Sequence, residues 1–224
     1  MAIVFDPDQN LYIEQRSDAP ILSDTGLSIA AWIDEDPNTS IGTPRVLVHD
    51  RIAVQQDDPD RDAESWIRSW SQSGWESFDS TLRSARLRAE ELGVELLLRP
   101  SSAGMLSDAV CTLSWVARGG GQDARLMLDP MGWIVPSMLR DLPDHLDRIE
   151  ELCIEMIEHG RVSCVLIRSL RTEEAGQLIE SSLGDGEPDA LVILKHLSTL
   201  IERAPEIAVL AQPDLGFLGD EGGG

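Results

Sequence analysis

The feature that most constrains this chain is the alternation, from residue 77 onward, of amphipathic stretches with short apolar ones. Runs rich in Leu, Val and Ile predict strands at residues 94–99, 125–129, 162–168 and 206–211. Apolar faces at helical spacing predict helices at residues 77–92, 105–118, 142–159 and 190–203. Nearly continuous apolar strands separated by helices are typical of a parallel sheet covered on its faces. The alternation therefore predicts an α/β fold.

Two further strands, at residues 27–33 and Arg45–His49, bring the predicted sheet to six strands. An open doubly wound sheet is the main alternative to a barrel, but no glycine-rich phosphate turn follows the first strand. The pattern thus favours a TIM-barrel-like parallel (β/α) repeat. Residues 34–44 contain two prolines and are short for a crossover between parallel strands. We therefore expect the barrel to be incomplete or irregular in its N-terminal third.

The predicted domain organisation is a single TIM-barrel-like domain over residues 1–218. Within it, residues 1–25 show no clear strand–helix pair and form a poorly defined N-terminal segment. The glycine-rich residues 219–224 are predicted to form a flexible tail. An incomplete barrel leaves sheet edges uncovered, and a homo-oligomer or another partner could cover them.

The charge of the chain excludes several classes of partner. With 40 acidic against 18 basic residues, its net charge is −22, so we expect no nucleic-acid ligand. No apolar run approaches the roughly 18 residues that a membrane span needs, and the first residues lack the pattern of a cleaved signal. The three cysteines lack metal-type CxxC spacing and are expected to be buried, reduced thiols. We therefore expect an acidic, cytoplasmic protein that contacts no membrane.

Polar side chains follow the predicted strands, where the functional groups of a parallel barrel lie. The residues at these strand ends are Asp34, His49, Arg99, Asp129, Arg168 and Gln212. Five of these six side chains are charged or titratable. If the sheet forms as predicted, they converge on one rim, and we expect the functional site there.

Several stretches of the chain resemble one known family in their order and spacing. They are residues 93–101 (GVELLLRPS), 126–130 (LMLDP), 136–139 (PSML), 144–146 (DHL) and 183–189 (LGDGEPD). Together they resemble the xylose isomerase-like TIM barrels, the sugar phosphate isomerase/epimerase group that is also related to endonuclease IV. The resemblance covers residues 26–215. It implies a small sugar or sugar-phosphate ligand and a divalent cation such as Mn²⁺, Mg²⁺, Co²⁺ or Zn²⁺. In such chemistry the cation polarises the sugar carbonyl while a carboxylate moves the proton.

The resemblance also implies which residues would form the metal site, and this chain departs from that pattern. The glutamate that the family has after its fourth strand falls on Arg99, and its next histidine or aspartate falls near Arg168. Gln212 lies near the position of the last glutamate. Asp129 and His49 remain as candidate metal ligands and as candidate acid or base groups. The arginines favour a degenerate site that holds no cofactor.

The residues themselves allow simpler roles. Arg99 and Asp129 can form a structural salt bridge between neighbouring strand ends, and Asp129 can also cap backbone amides. Arg99 and Arg168 can instead form an anion clamp, because guanidinium groups bind carboxylate or phosphate in a bidentate manner. His49 can be an ordinary hydrogen-bonded histidine of the rim. The loop with Gly184 and Gly186 can bind phosphate through its amides or be a plain turn.

Three functions therefore stay open. The first is a metal-assisted isomerase or epimerase of sugars or sugar phosphates that uses Asp129 and His49. The second is a non-catalytic binding or structural protein on the same fold. The two arginines at expected ligand positions favour this absence of catalytic activity. The third is a DNA-repair endonuclease, for which the sequence offers neither the metal ligands nor a cationic face.

Overall fold

The computed structural model describes residues 2–5, 11–14, 22–28, 45–50, 70–121, 124–173 and 176–209. Its strands are β1 (Ala2–Phe5), β2 (Leu11–Glu14), β3 (Leu22–Ser28), β4 (Arg45–His49), β5 (Glu95–Arg99), β6 (Arg125–Leu128), β7 (Val162–Ile167), β8 (Ser169–Thr172), β9 (Leu178–Ser181) and β10 (Ile207–Val209). The helices are α1 (Gln72–Leu92), α2 (Ala109–Ala117), α3 (Leu142–Glu158), α4 (Ala190–His196) and α5 (Ser198–Arg203). Two short 3₁₀ helices, Pro130–Trp133 and Pro136–Asp141, lie between β6 and α3.

Six of the strands form one parallel sheet in the order β3-β4-β5-β6-β7-β10. The strands follow one another across the sheet in the order in which they occur along the chain. In a doubly wound fold this order would reverse at a switch point. The strands β1 and β2 pair antiparallel with each other, and so do β8 and β9. The chain is thus a mixed α/β fold with its parallel strands in one sheet. Closure of that sheet into a barrel stays a prediction.

The helices form where the sequence alternates as a helix requires. In α1, the residues Phe78, Leu82, Ala85 and Ala89 recur at spacings of three and four and are buried. The helix begins after Ser71, whose hydroxyl accepts a hydrogen bond from the Gly74 amide, and ends at Gly93 in the left-handed conformation (φ 68°). These caps and the buried face set both the ends and the orientation of α1.

The core has two parts because side chains alternate across a strand. The larger part includes Leu96, Leu98, Leu126 and Leu128 and packs against the helices. The smaller part lies on the other face of the sheet and consists of Leu97, Met127, Cys164 and Leu166. Burying each leucine contributes about 1.5–3 kcal/mol. Strands β5 to β7 are apolar on both faces for this reason, and their charged residues stand only at the first or last position of a strand or directly after it.

Several predicted boundaries differ from the structure. The helix expected from residue 77 begins five residues earlier, at Gln72. The Ser71 cap and the contact of Trp75 with Phe78 (ring centroids 6.1 Å apart) stabilise this additional turn. The strand expected at 27–33 overlaps β3 only at Leu27 and Ser28, and residues 29–33 lie outside the described residues. The polar sequence of β3, LSDTGLS, gives no apolar signal. The N-terminal segment contains the hairpin of β1 and β2.

Some predictions fall on residues that the structure does not describe. These are the crossover at 34–44, the end of the last strand at 210–211 and the tail at 219–224. Within the described ranges, no helix is both long enough and apolar enough to cross a bilayer.

Candidate functional site

Three charged side chains meet at the C-terminal edge of the sheet. Arg99 ends β5, Asp129 follows β6 and Arg168 follows β7, and these three strands are neighbours in the sheet. Their exposed fractions are only 3%, 0% and 3%. Fully buried charges are unusual in proteins unless they are paired. These three charged residues therefore lie together at the C-terminal ends of the apolar strands.

Asp129 is the centre of this group, because both arginines donate to its carboxylate. Arg99 donates from Nε (3.0 Å) and Nη2 (2.6 Å) to Oδ2. Arg168 donates from Nε to Oδ1 (3.1 Å) and Oδ2 (2.9 Å), and its Nη2 lies 2.9 Å from Oδ2. The Gly132 amide donates to Oδ1 at 3.0 Å. Both carboxylate oxygens are therefore bound to donors of the protein itself.

The two guanidinium groups decide the charge state of Asp129. Burial is the largest single influence and would raise the pKa of this carboxyl, but the attraction of Arg168 and Arg99, together with their hydrogen bonds, lowers the pKa below its usual value. Asp129 is thus a buried anion held by two buried cations. The salt bridge that the sequence allowed between Arg99 and Asp129 is present, and Arg168 extends it to a triad.

A fourth charge comes from the hairpin of β8 and β9. Glu180 in β9 places Oε1 at 2.7 Å from Arg99 Nη2 and at 3.9 Å from Arg168 Nη2. Its side chain is 47% exposed, whereas that of Asp129 is 1% exposed. We call Arg99, Asp129, Arg168 and Glu180 the ion cluster. Its two cations and two anions balance, so the cluster carries no net charge.

The ion cluster borders an open cleft of about 370 Å³. The cleft is lined by Arg99, Ser101, Ser102, Ala103, Asp129, Met131, Gly132, Ile134, Arg168, Leu170, Leu178, Ile179 and Glu180. One wall is therefore charged, another is apolar, and the two serines contribute hydroxyl groups. A cavity of this size falls in the lower part of the range for small-molecule sites.

A second buried carboxyl lies beside the cleft, at the end of β4. Asp50 is 1% exposed; its Oδ2 accepts from the Leu106 amide (2.8 Å) and its Oδ1 from the Ser101 hydroxyl (3.2 Å). Burial raises the pKa of Asp50 to about 7, although these hydrogen bonds oppose the rise. Gly104 lies against this carboxyl, where a Cβ would overlap it. Asp50 thus changes its charge near neutral pH, one hydroxyl away from the cleft.

The described residues of this edge do not fit a divalent cation. Such an ion needs several anionic or neutral oxygen or nitrogen ligands, and here two guanidinium groups occupy the carboxylate of Asp129. In the part of the chain that the structure describes, no three His, Cys, Asp or Glu side chains gather as ligands. A cation beside Asp129 would meet two positive charges within about the length of a salt bridge.

The structure brings together three of the residues that the sequence placed at strand ends, namely Arg99, Asp129 and Arg168. The backbone of His49 pairs with that of Arg99 between β4 and β5, but the side chain of His49 lies outside the described residues. Asp34 and Gln212 lie outside them as well.

The loop of Gly184 and Gly186 packs against the hairpin of β8 and β9. The Gly184 amide donates to the Ser169 hydroxyl (3.3 Å), and a Cβ on Gly186 would overlap the Leu170 carbonyl. This amide therefore already has a partner within the protein. An anion-binding role for the two glycines stays a prediction.

Sequence reasoning missed two residues of this region, Asp50 and Glu180. Asp50 directly follows the last residue of β4, so listing two residues per strand end instead of one would have included it. Glu180 lies in the hairpin of β8 and β9, which the sequence pattern does not predict. The alternation of Leu178, Ile179, Glu180 and Ser181 is too short to indicate a strand by itself.

No protein-family model matches the chain, and no curated protein matches its sequence. Among solved structures, the chain is similar to mannonate dehydratase from Streptococcus suis serotype 2, with a TM-score of 0.45 and 14% sequence identity. The match covers 83% of this chain, which spans 60% of the length of that protein. What the two share is thus a distant likeness in the course of the backbone.

Proposed function

We propose that this chain is a divergent, TIM-barrel-like relative of the sugar phosphate isomerases and epimerases that has weakened or lost metal-dependent isomerisation and binds a small anion in the strand-end cleft. The observation that supports this most is the buried triad of Arg99, Asp129 and Arg168. It supplies two cations where metal-dependent chemistry would require anionic ligands.

The geometry favours an anion because two guanidinium groups share the single buried carboxylate of Asp129. Arg99 and Arg168 together carry two positive charges, and the buried Asp129 supplies one negative charge. A second negative charge comes from Glu180, which is half-exposed. Guanidinium groups bind carboxylate and phosphate through two parallel hydrogen bonds, and a site with little water strengthens such bonds. A small anion in the cleft therefore has a charged wall to bind.

Titration calorimetry with sodium butyrate, inorganic phosphate and uncharged glycerol tests this function. We expect at least one of the two anions to bind and glycerol not to bind. The variant Arg168→Lys keeps the charge but loses the guanidinium fork, so we expect it to bind the anion roughly tenfold more weakly. Arg171→Lys, on the exposed side of β8, is the matched control and should bind like the wild type.

Enzyme assays test the other half of the proposal. Incubation with aldose and ketose sugar phosphates and added Mn²⁺, Mg²⁺ or Co²⁺ should give no turnover above background. Metal-dependent turnover that disappears in Asp129→Asn would overturn the proposal and restore an isomerase that uses Asp129 as a ligand.

Asp50 supports a second candidate, an enzyme that transfers protons without a metal. A general acid or base works best when its pKa lies near the working pH, and the pKa of Asp50 is raised to about 7. The Ser101 hydroxyl connects this carboxyl to the cleft. If a substrate is found, its rate should follow the titration of a group near pH 7, and Asp50→Asn should abolish that dependence.

Location and partners complete the proposal. The cysteines Cys111, Cys153 and Cys164 form no disulfide bonds in the structure, which supports a reducing compartment such as the cytoplasm. The net charge of −22 supports the absence of a nucleic-acid ligand. Size-exclusion chromatography with light scattering would show whether a second copy covers the outer strands of the sheet.

A further inference from the structure

Glu180 and Asp129 hold the same two arginines in very different ways. Asp129 is buried, and its two oxygens accept from both guanidinium groups and from a backbone amide. Glu180 reaches the arginines through Oε1, with one short contact to Arg99 and a long one, 3.9 Å, to Arg168. Nearly half of its side chain is exposed. One partner is thus built into the edge of the sheet, and the other lies over it from outside.

We infer that Glu180 occupies the place of a ligand carboxylate, and that the ligand of the cleft is a small monocarboxylate with an apolar body, which displaces Glu180 when it binds. This inference rests on the proposed anion-binding function and adds the class of the ligand and the residue with which it competes.

Displacement of Glu180 requires only that its side chain rotates. The backbone of the hairpin is fixed near the cluster, because Leu170, which lies opposite Glu180, exchanges hydrogen bonds with Glu187 through its amide (3.1 Å) and its carbonyl (2.7 Å). The glutamate side chain has three rotatable bonds, and its carboxylate already faces water. A released Glu180 is therefore solvated immediately, and the cleft keeps its walls.

Charge balance favours a monoanion over a dianion. With Glu180 turned away, the triad carries one net positive charge, and a single carboxylate restores neutrality. A phosphate dianion would give the triad one net negative charge, in a chain whose net charge is already −22. A carboxylate also matches the geometry by which Glu180 contacts Arg99. The cluster thus resembles a carboxylate site whose occupant is supplied by the chain.

The remaining walls of the cleft indicate the rest of the ligand. Leu170, Leu178 and Ile179 form an apolar surface beside Glu180, and Met131 and Ile134 extend it. Apolar surface of this kind stabilises an apolar ligand in proportion to the area that leaves water. Ser101 and Ser102 also line the cleft and offer hydroxyl groups. A short aliphatic or aromatic acid, with room for a hydroxyl substituent, matches all three walls.

Ligand binding to the full-length protein and two glutamine variants tests the inference. Glu180→Gln removes the competing charge while nearly keeping the shape, and Glu173→Gln removes an equal charge from an exposed position next to β8. The probes are sodium butyrate, sodium benzoate, inorganic phosphate and the neutral butyramide, measured by titration calorimetry. We expect Glu180→Gln to bind butyrate and benzoate roughly tenfold more tightly than the wild type, since it removes one competing ion pair. Glu173→Gln should bind like the wild type, and butyramide should bind to none of them.

The possible results separate this inference from the proposed function. If no anion binds to the wild type or to Glu180→Gln, the proposed function fails, and the inference fails with it. If anions bind equally well to both proteins, the site stands but Glu180 does not compete for it. If phosphate binds Glu180→Gln more tightly than either carboxylate does, the ligand class is wrong.

A second variant guards against an effect of Glu180→Gln on folding. Glu180→Asp keeps the charge but withdraws the carboxylate by one methylene group, so it weakens the contact to Arg99 without removing a charge. We expect an affinity for butyrate between those of the wild type and Glu180→Gln. An affinity below that of the wild type would contradict the competition between Glu180 and the ligand.

Discussion

The ends of β4 and β6 each bury an aspartate, yet the two carboxyl groups behave in opposite ways. Asp50 receives hydrogen bonds from a neutral amide and a neutral hydroxyl, and burial raises its pKa to about 7. Asp129 is equally buried, but Arg168 and Arg99 outweigh that burial and lower its pKa. Two aspartates at the same edge of the sheet thus differ in charge state: Asp50 titrates near neutral pH, and Asp129 stays ionised. Neighbouring charge, and not burial, makes the difference.

The largest effect should come from breaking the charged member of this pair. In Asp129→Asn the two buried guanidinium groups lose their shared anion, and we expect the free energy of unfolding to fall by about 5 kcal/mol, the upper end for breaking a buried ion pair. Urea unfolding measures this loss. The matched control is Asp147→Asn, an aspartate that is 59% exposed and pairs with His196 on the surface, where the loss should be about 1 kcal/mol or less. Equal losses at the two sites would show that the triad is not stabilised by its charges.

Replacing Asp50, in contrast, should raise the free energy of unfolding, and the size of the effect should depend on pH. Asp50 has an ordinary pKa of 3.8 when unfolded and about 7 when folded, so between these values the folded state holds a proton that the unfolded state has released. The stability of the wild type should therefore decrease as pH rises from about 4 to about 7, by about 4 kcal/mol from this group alone.

Asp50→Asn removes that decrease and keeps both hydrogen bonds, since the amide can accept from Leu106 and donate to Ser101. We expect the variant to gain stability over the wild type between pH 4 and pH 8 by the amount that Asp50 costs. The difference between the two proteins, measured by urea unfolding at several pH values, cancels the titration of all other groups. A difference that does not change with pH would contradict the raised pKa of Asp50.

Each aspartate also lies against a glycine, so the space around the two carboxyl groups can be compared by adding a methyl group beside each. A Cβ on Gly104 would overlap the Asp50 carboxyl, whereas a Cβ on Gly132 would lie 2.8 Å from Asp129 Oδ2. We expect Gly104→Ala to cost about 2 kcal/mol through the displaced carboxyl, and Gly132→Ala to cost less. Thermal unfolding compares the two variants. A Gly104→Ala protein as stable as the wild type would show that Asp50 has room to move.

The smallest effect should come from the exposed end of the ion cluster. Glu180→Gln removes a charge that is nearly half exposed, so solvent screens most of its contribution. We expect a loss of about 1 kcal/mol or less in the free energy of unfolding, against the much larger loss in Asp129→Asn. A loss as large as that of Asp129→Asn would mean that Glu180 is a structural partner and not a replaceable one.

How much of this could be predicted from the sequence depends on whether a residue belongs to an apolar strand. Three runs of buried residues end at Arg99, Asp129 and Arg168. The runs predict parallel strands, and the C-terminal ends of parallel strands lie at one edge of the sheet, so the sequence predicts that these three residues lie close together. The strand limits of β5, β6 and β7 were predicted to within one residue at each end. Burial on both faces makes such strands easy to recognise.

Other parts depend on contacts that are remote in sequence. Glu180 reaches Arg99 only because β9 pairs with β8, and four residues with one turn give little periodic signal. The strand β3 has a polar sequence, and its place is set by backbone pairing with β4. The pKa of Asp50 depends on the loop from Ser101 to Leu106, which no pattern around residue 50 reveals. In each case the deciding partner lies on another element.

The triad also has a consequence for how the sheet chooses its alignment. Leu98 pairs with Leu126 and Leu128 pairs with Val165, so Asp129 lies two positions beyond the level of Arg99, and Arg168 two positions beyond that of Asp129. A stagger of two residues keeps all three side chains on the same face of the sheet, where they meet. If β6 slipped by a single residue, its side chains would exchange faces and Asp129 would be separated from both arginines. The apolar residues Leu97, Met127 and Leu166 alone would tolerate such a slip far better, because hydrophobic contacts are not directional. The charged residues at this edge therefore favour one register of the strands. They destabilise the shifted registers that apolar contacts alone would allow.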